Sequence, residues 1–197
     1  NPLSTAIVTA IVAWFGEKSV AAFGVATRIE FFAVIPMLAL SSAIGPLAGQ
    51  NWGAYKVQRI IDGLKISYWV CMVWALVLSA FLWFTGPFIV GAFTDDGEVA
   101  AQALSYLRII PLSVWGYGIV IVAAAAFNSI GKAKVGLGFY VVRSALFYVP
   151  LSWLGATFAQ IDYAFFGIAV ANVVSGVAIG WYSLWWLNHI QAKELQE

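Results

Sequence analysis

VAAFGVATRIEFFAVIPMLALSSAIGPLAGQ, residues Val20 to Gln50, is an apolar run whose only charges are Arg28 and Glu30. Crossing roughly 30 Å of hydrocarbon takes about 20 apolar residues in an α-helix. The run is longer than one crossing needs, so the helix it forms is expected to tilt, bend or begin in the interface. Outward from it, the same criterion gives further helices at 3–15, 64–86, 99–130, 135–157 and 163–188. The first is short for a span and is expected to lack its beginning. The chain opens at Asn1-Pro2 with no basic segment ahead of the apolar run. That argues against a signal peptide and for a start inside a longer protein. The expected fold is an all-α, integral membrane bundle of six helices.

Composition agrees with lipid as the solvent. Hydrophobic residues make up 62% of the 197 and charged residues 10%, with a mean hydropathy of +0.89. A soluble domain carries about 25% charged residues. A net charge of +1 gives no reason to expect a nucleic-acid partner. Cys71 and His189 are the sole residues of their types, so neither a disulfide framework nor a Cys/His metal cluster can be built. H-E-x-x-H, G-x-S-x-G and G-x-x-x-x-G-K-[ST] are all absent from the sequence, and no enzymatic activity or cofactor is expected.

The charges sit in the connectors, and they alternate. Glu17-Lys18, Thr94 to Glu98 and Ala159 to Asp162 form one set; Lys56, Arg59 and Lys65, then Lys132 and Lys134, and Lys193 in the tail form the other. Arg59, Asp62 and Lys65 read as a short amphipathic connector. Lysine and arginine excess marks the cytoplasmic side, so the basic set and the C-terminus are expected inside the cell. Trp14, Trp83 and Trp153 then fall near outer helix ends, and Trp52, Trp181, Trp185 and Trp186 near inner ends, where indoles anchor at headgroups.

Arg28 and Glu30 are the most informative polar pair. Arg28 lies ten residues beyond Lys18, roughly 15 Å along a helix. Charges at that depth should face a bundle interior or a wet cavity. Two residues apart on a helix point roughly 200° from each other, so they do not pair together and need partners elsewhere. Two readings are open: an intramembrane site, with Glu30 a proton- or cation-binding carboxylate and Arg28 its structural counter-charge, or a later helix start with both snorkelling at the outer interface. Pro36 and Pro46 remove backbone donors from the same helix, and Pro111 and Pro150 do so in the fourth and fifth, so these helices are expected to bend or gate. Gly45, Gly49 and Gly53, and Gly176 and Gly180, are spaced for close helix contact. Gln50, Asn51 and Asn128 are amides near basic-side helix ends, suited to capping or to substrate contact. Arg143 is expected to reach the cytoplasmic headgroups.

Three stretches are similar to a known family. Ala21 to Glu30, followed by Ile35-Pro36 and by Gly49-Gln50-Asn51-Trp52-Gly53-Ala54, resembles the eighth helix of multidrug and toxic compound extrusion (MATE) transporters. Phe93 to Val99, running on to Tyr106-Leu107-Arg108-Ile109, resembles that family's outer turn into its tenth helix. Ala126 to Lys134, then Arg143 and Val149-Pro150, resembles its link from the tenth to the eleventh. The resemblance implies one lobe of a twelve-helix transporter whose partner is a preceding N-terminal lobe. It implies export of cationic or amphipathic drugs by alternating access, driven by H⁺ or Na⁺, in a plasma membrane, the bacterial inner membrane in particular. One branch of the family places coupling carboxylates on helices seven and ten; here 99–130 carries no Asp or Glu. Coupling would then fall to the other lobe or to Glu30. Two alternatives accompany this reading: a flippase for lipid-linked oligosaccharides, which would need several basic residues on the cavity wall, and a membrane module that transports nothing.

Overall fold

The computed structural model describes residues 2–158 and 160–194. Among them every long apolar run is helical and no strand occurs. The helices are α1 (Pro2–Val12), α2 (Glu17–Gly53), α3 (Val57–Gly91), α4 (Gly97–Ile109), α5 (Val114–Ser129), α6 (Ala133–Val141), α7 (Val149–Ala156) and α8 (Ile161–Glu194). α4 and α5 are two parts of one rod, as are α6 and α7. That makes five rods long and apolar enough to cross a membrane, with the shorter Leu3–Phe15 beside them.

Several elements differ from the sequence expectation for identifiable reasons. The third helix begins at Val57, so Arg59, Asp62 and Lys65 belong to its first turns and not to a connector. Val57, Ile60, Ile61 and Leu64 are buried at helical spacing, and that stripe carries the helix outward. α2 runs as one helix through Pro36 and Pro46. Trp74 Nε1 donates to Ala33 O at 2.8 Å, so a neighbouring helix supplies a donor at the turn where Pro36 removes one. Pro111 does break its rod, through a 3₁₀ turn at Pro111–Ser113. Ahead of Pro150, residues Val142–Tyr148 widen into a π-helical stretch, which takes up the hydrogen bond proline cannot make.

The two ends of the bundle are held by different chemistry. At the acidic end, Asp96 caps α4 by accepting from the N–H of Glu98 and Val99. Lys18 Nζ at the start of α2 reaches Asp96 at 3.2 Å and Glu98 at 2.8 Å. At the basic end, Trp186 stacks on Trp52 with centroids 6.1 Å apart, meets Phe127 at 5.1 Å and takes Lys132 over its ring. The turns there share one design. Lys56 N donates to Asn51 O and Lys132 N to Phe127 O, both at 2.8 Å, around left-handed Tyr55 (φ 56°) and Gly131 (φ 79°). The side chain of Lys193 lies outside the described residues.

The rod containing α5 is the centre. In its most apolar window 72% of residues are buried, against 22% for α3. Lipid offers apolar groups as good a solvent as another helix does, so close backbone contact must hold the bundle. Gly176 of α8 packs on the backbone of Gly116 in α5, and Gly116 packs on the backbone of Asn172. Gly45 and Gly49 of α2 face Ser129 at the end of α5, whereas Gly53 faces open space.

Two outcomes are expected from this packing. Gly176→Ala puts a methyl group into the Gly116 backbone and should cost about 2 kcal/mol or more, seen as a lowered melting temperature in detergent; Gly138→Ala, at a helical position open to space, should not lower it. The Val99 N–H, then Lys18 and the Glu98 N–H, hold the Asp96 carboxyl below the usual carboxylate range. A depressed carboxylate contributes stability that is present above its unfolded-state value and is lost as pH falls through the folded one. Amide hydrogen exchange in the first turn of α4 should therefore speed up on acidification through that range, and in Asp96→Asn, whose amide oxygen can still cap the helix, that pH dependence should be lost after correction for intrinsic exchange.

Candidate functional site

A cavity of about 620 Å³ opens among α1, α2, α5 and the π stretch. Its polar wall is Ser4, Thr5 and Thr9 of α1, Thr27 and Glu30 of α2, Tyr117 of α5, and Arg143 and Tyr148 of the π stretch. Each element presents these groups for a local reason. Thr5 and Thr9 are four residues apart and Thr27 and Glu30 three, spacings that put each pair on one helix face. The wide turn at Val142–Tyr148 tucks Arg143 inward.

Arg143 is 6% exposed. Its guanidinium lies between two rings, 4.0 Å from the centroid of Tyr117 and 4.8 Å from that of Tyr148. Nη2 donates to Asn172 Oδ1 at 2.8 Å; Asn172 Nδ2 donates to Ser113 Oγ at 3.2 Å; Ser113 Oγ donates to Ile110 O. The buried Nε–H has no partner among the described residues. Cation–π contact and a charge-assisted hydrogen bond offset part of the cost of taking the cation out of water. This corrects the expectation that Arg143 reaches the headgroups.

Glu30 accepts a hydrogen bond from the Tyr106 hydroxyl. Tyr106 is itself 1% exposed and wedged edge-to-face between Phe23 at 5.7 Å and Phe165 at 5.0 Å. Glu30 also feels the charge of Arg143. The ion pairs within 4.0 Å among the described residues are those of Lys18, so Glu30 and Arg143 act on each other without touching. A carboxylate and a guanidinium on one cavity wall, each with a neutral partner, leave room for a third charged or polar species between elements.

The remaining candidates lie elsewhere. Arg28 is exposed on another side of α2, as its two-residue offset from Glu30 requires. Gln50 is exposed near the end of α2, and Asn51 Nδ2 donates to Leu47 O of its own helix at 2.9 Å. Asn128 is exposed at the end of α5 beside Gly136. Of the five binding candidates, then, only Glu30 lines the cavity. Pro36 and Pro46 lie in α2, Pro111 opens the 3₁₀ turn beside Ser113, and Pro150 follows the π stretch that carries Arg143.

Tyr106, Tyr117, Tyr148 and Asn172 are site residues that sequence reasoning missed. Tyr106 and Tyr117 are phenols within one apolar run, on either side of Pro111. Asn172 is an amide in mid-run of the last helix, and a polar group at that depth asks for a partner. No group of three or more His, Cys, Asp or Glu able to hold a metal occurs among the described residues.

Known proteins share this architecture. A family model described as MatE matches residues 1–154. An FAD transporter of Shewanella oneidensis is 30% identical over 178 residues, which are 90% of this chain and 39% of that protein. The multidrug resistance protein MdtK of Klebsiella pneumoniae is 24% identical over 188 residues, 91% of this chain and 40% of that one. The crystal structure of the Vibrio cholerae MATE transporter VcmN in its bent form is similar with a TM-score of 0.91 and 29% identity, over 96% of this chain and 43% of that chain. This chain thus spans about two fifths of the length of the relatives it matches.

The arginine network can be tested by itself. Asn172→Leu strips Arg143 of its acceptor and should cost about 2 kcal/mol. Combining it with Arg143→Met should recover most of that loss, since a pair removed together leaves no unpaired charge. Thermal melting of the two single variants and the double variant measures the coupling.

Proposed function

The chain belongs to the MatE family of membrane transporters, and from that premise we propose that it forms the second of two lobes of a secondary active exporter of cationic or amphipathic drugs and xenobiotics. The observation that carries the proposal is Glu30, a carboxylate on the wall of a cavity among apolar helices with a tyrosine hydroxyl as its hydrogen-bond partner. The relatives named for drug resistance support it.

In this reading a substrate cation enters the cavity, drawn by Glu30 and held by the aromatic faces of Tyr117 and Tyr148. A preceding lobe supplies the facing wall, and the lobes rock around the site. Protonation of Glu30, or Na⁺ beside it, cancels its charge, weakens the hold on the drug and favours release outside. Arg143 keeps the carboxylate from holding the substrate too tightly. The basic connectors and the C-terminus face the cytoplasm of a bacterial inner membrane. An ion is the sole co-reactant required, and no cofactor takes part.

A second reading rests on a different observation. Arg143 gives the same cavity a buried cation, and the 30% identical relative is named for FAD. A phosphate-bearing substrate would be met by Arg143 in place of Glu30. A lipid-linked oligosaccharide flippase finds less support, because of Arg28, Arg108 and Arg143 only Arg143 lines the cavity.

Efflux from inverted vesicles carrying the complete protein separates these readings. Glu30→Gln should reduce the response of cationic-dye efflux to a pH or Na⁺ gradient by about 5- to 150-fold, the range of ordinary site–site coupling, with membrane insertion unchanged. An unaltered gradient dependence rejects the role of Glu30. Transport of flavin dinucleotide that survives Glu30→Gln and is lost in Arg143→Gln establishes the second reading.

A further inference from the structure

A second cavity, of about 700 Å³, lies between α3, α4 and α8 and shares no lining residue with the first. Its walls are two facing stripes. On α8, Asp162, Phe166, Val170 and Val173 follow one another at helical spacing; on the opposite rod the sequence is Ser105, Arg108 and Leu112. Each stripe is polar at the acidic end of the bundle and apolar beyond it. Phe166, Val170 and Leu112 are exposed, so the groove is open along its apolar length.

The polar groups are fixed at two depths. Ser105 Oγ donates to Asp162 Oδ1 at 2.5 Å, which ties the first turn of α8 to α4 and sets the carboxylate at the helix end. Arg108 lies three residues past Ser105 along α4, about 4.5 Å deeper. Its guanidinium covers the Trp83 ring at 5.2 Å. Among the described residues no carboxylate comes within 4.0 Å of it. An exposed arginine just inside the apolar zone, stacked on an indole and lacking an anion, is costly unless an anion comes from the surroundings.

We propose that this groove binds a phosphatidylethanolamine molecule from the leaflet at the acidic end of the bundle. That headgroup carries a phosphodiester with an ammonium two carbons farther out. Arg108 meets the phosphate, Asp162 one turn shallower meets the ammonium, and an acyl chain runs along Leu112, Phe166, Val170 and Val173. The order of charges with depth, anion-binding below and cation-binding above, matches this lipid. An anionic glycerol headgroup would bring no cation to Asp162. The inference stands apart from the transport reading, since none of these residues lines the Glu30 cavity.

Native mass spectrometry of the complete protein, titrated with phosphatidylethanolamine and with phosphatidylglycerol of matched chains, tests the site. The unaltered protein should retain phosphatidylethanolamine about tenfold more strongly, the value of one charge-assisted hydrogen bond. Arg108→Gln should weaken that retention by about tenfold, and Asp162→Asn should erase the preference between headgroups. Phosphatidylethanolamine brominated on its acyl chains should quench emission from the unaltered protein more than from Trp83→Phe, which locates the lipid without disturbing either charge. Equal retention of the two lipids by the unaltered protein overturns the proposal. So does full retention in an Arg108→Gln protein that melts normally, or quenching indifferent to Trp83, the result expected if another lobe covers the groove.

Discussion

A guanidinium inside a lipid-solvated bundle has to be compensated locally, and the middle of this structure is arranged around that requirement. Arg143 is almost wholly buried. Water is the usual partner of an arginine, and here two tyrosine faces and an asparagine oxygen take its place. Asn172 can serve because α8 passes close to α5, and it passes close because Gly116 and Gly176 have no side chains to hold the helices apart. The π stretch belongs to the same solution. Arg143 stands in the first turn of that stretch, with Tyr148 at its last residue, so both groups that meet at Tyr117's cavity come from the same irregular segment. Backbone irregularity, small residues and one buried charge are therefore a single feature seen at three scales.

Most of the fold was legible in the sequence because lipid imposes a length and a polarity on every crossing. Apolar runs and alternating charged connectors locate the rods, and the Lys18 ion pairs join the acidic turns at one end. What escaped was detail decided by neighbours. Val57 to Leu64 looked like part of a connector because charged residues lie within and beside it, yet its apolar positions share one face. Pro36 and Pro46 do not end α2, and at the Pro36 turn Trp74 of α3 donates to Ala33 O.

The cavity was legible only in part. Glu30 stood out because a carboxylate in an apolar run is rare and expensive. Gln50, Asn51 and Asn128 stood out for the same polarity but sit at helix ends, where an amide can bond its own helix, as Asn51 does with Leu47. Arg143 was misjudged because its distance from the helix end suits snorkelling, and nothing local says which way the side chain turns. That choice is made by Tyr117 and Asn172, respectively 26 residues before it and 29 after it. Residues so far apart in the chain are brought together by packing, and packing is not written in any short motif.

The relay from Arg143 through Asn172 to Ser113 crosses the bundle from one cavity to the other, since Arg143 borders the first and Ser113 the second. The partition between them is a single amide thick. In a medium of low dielectric constant so thin a partition screens little. Whatever charge occupies the first cavity is sensed by a buried hydroxyl on the wall of the second, and the two compartments are electrically adjacent.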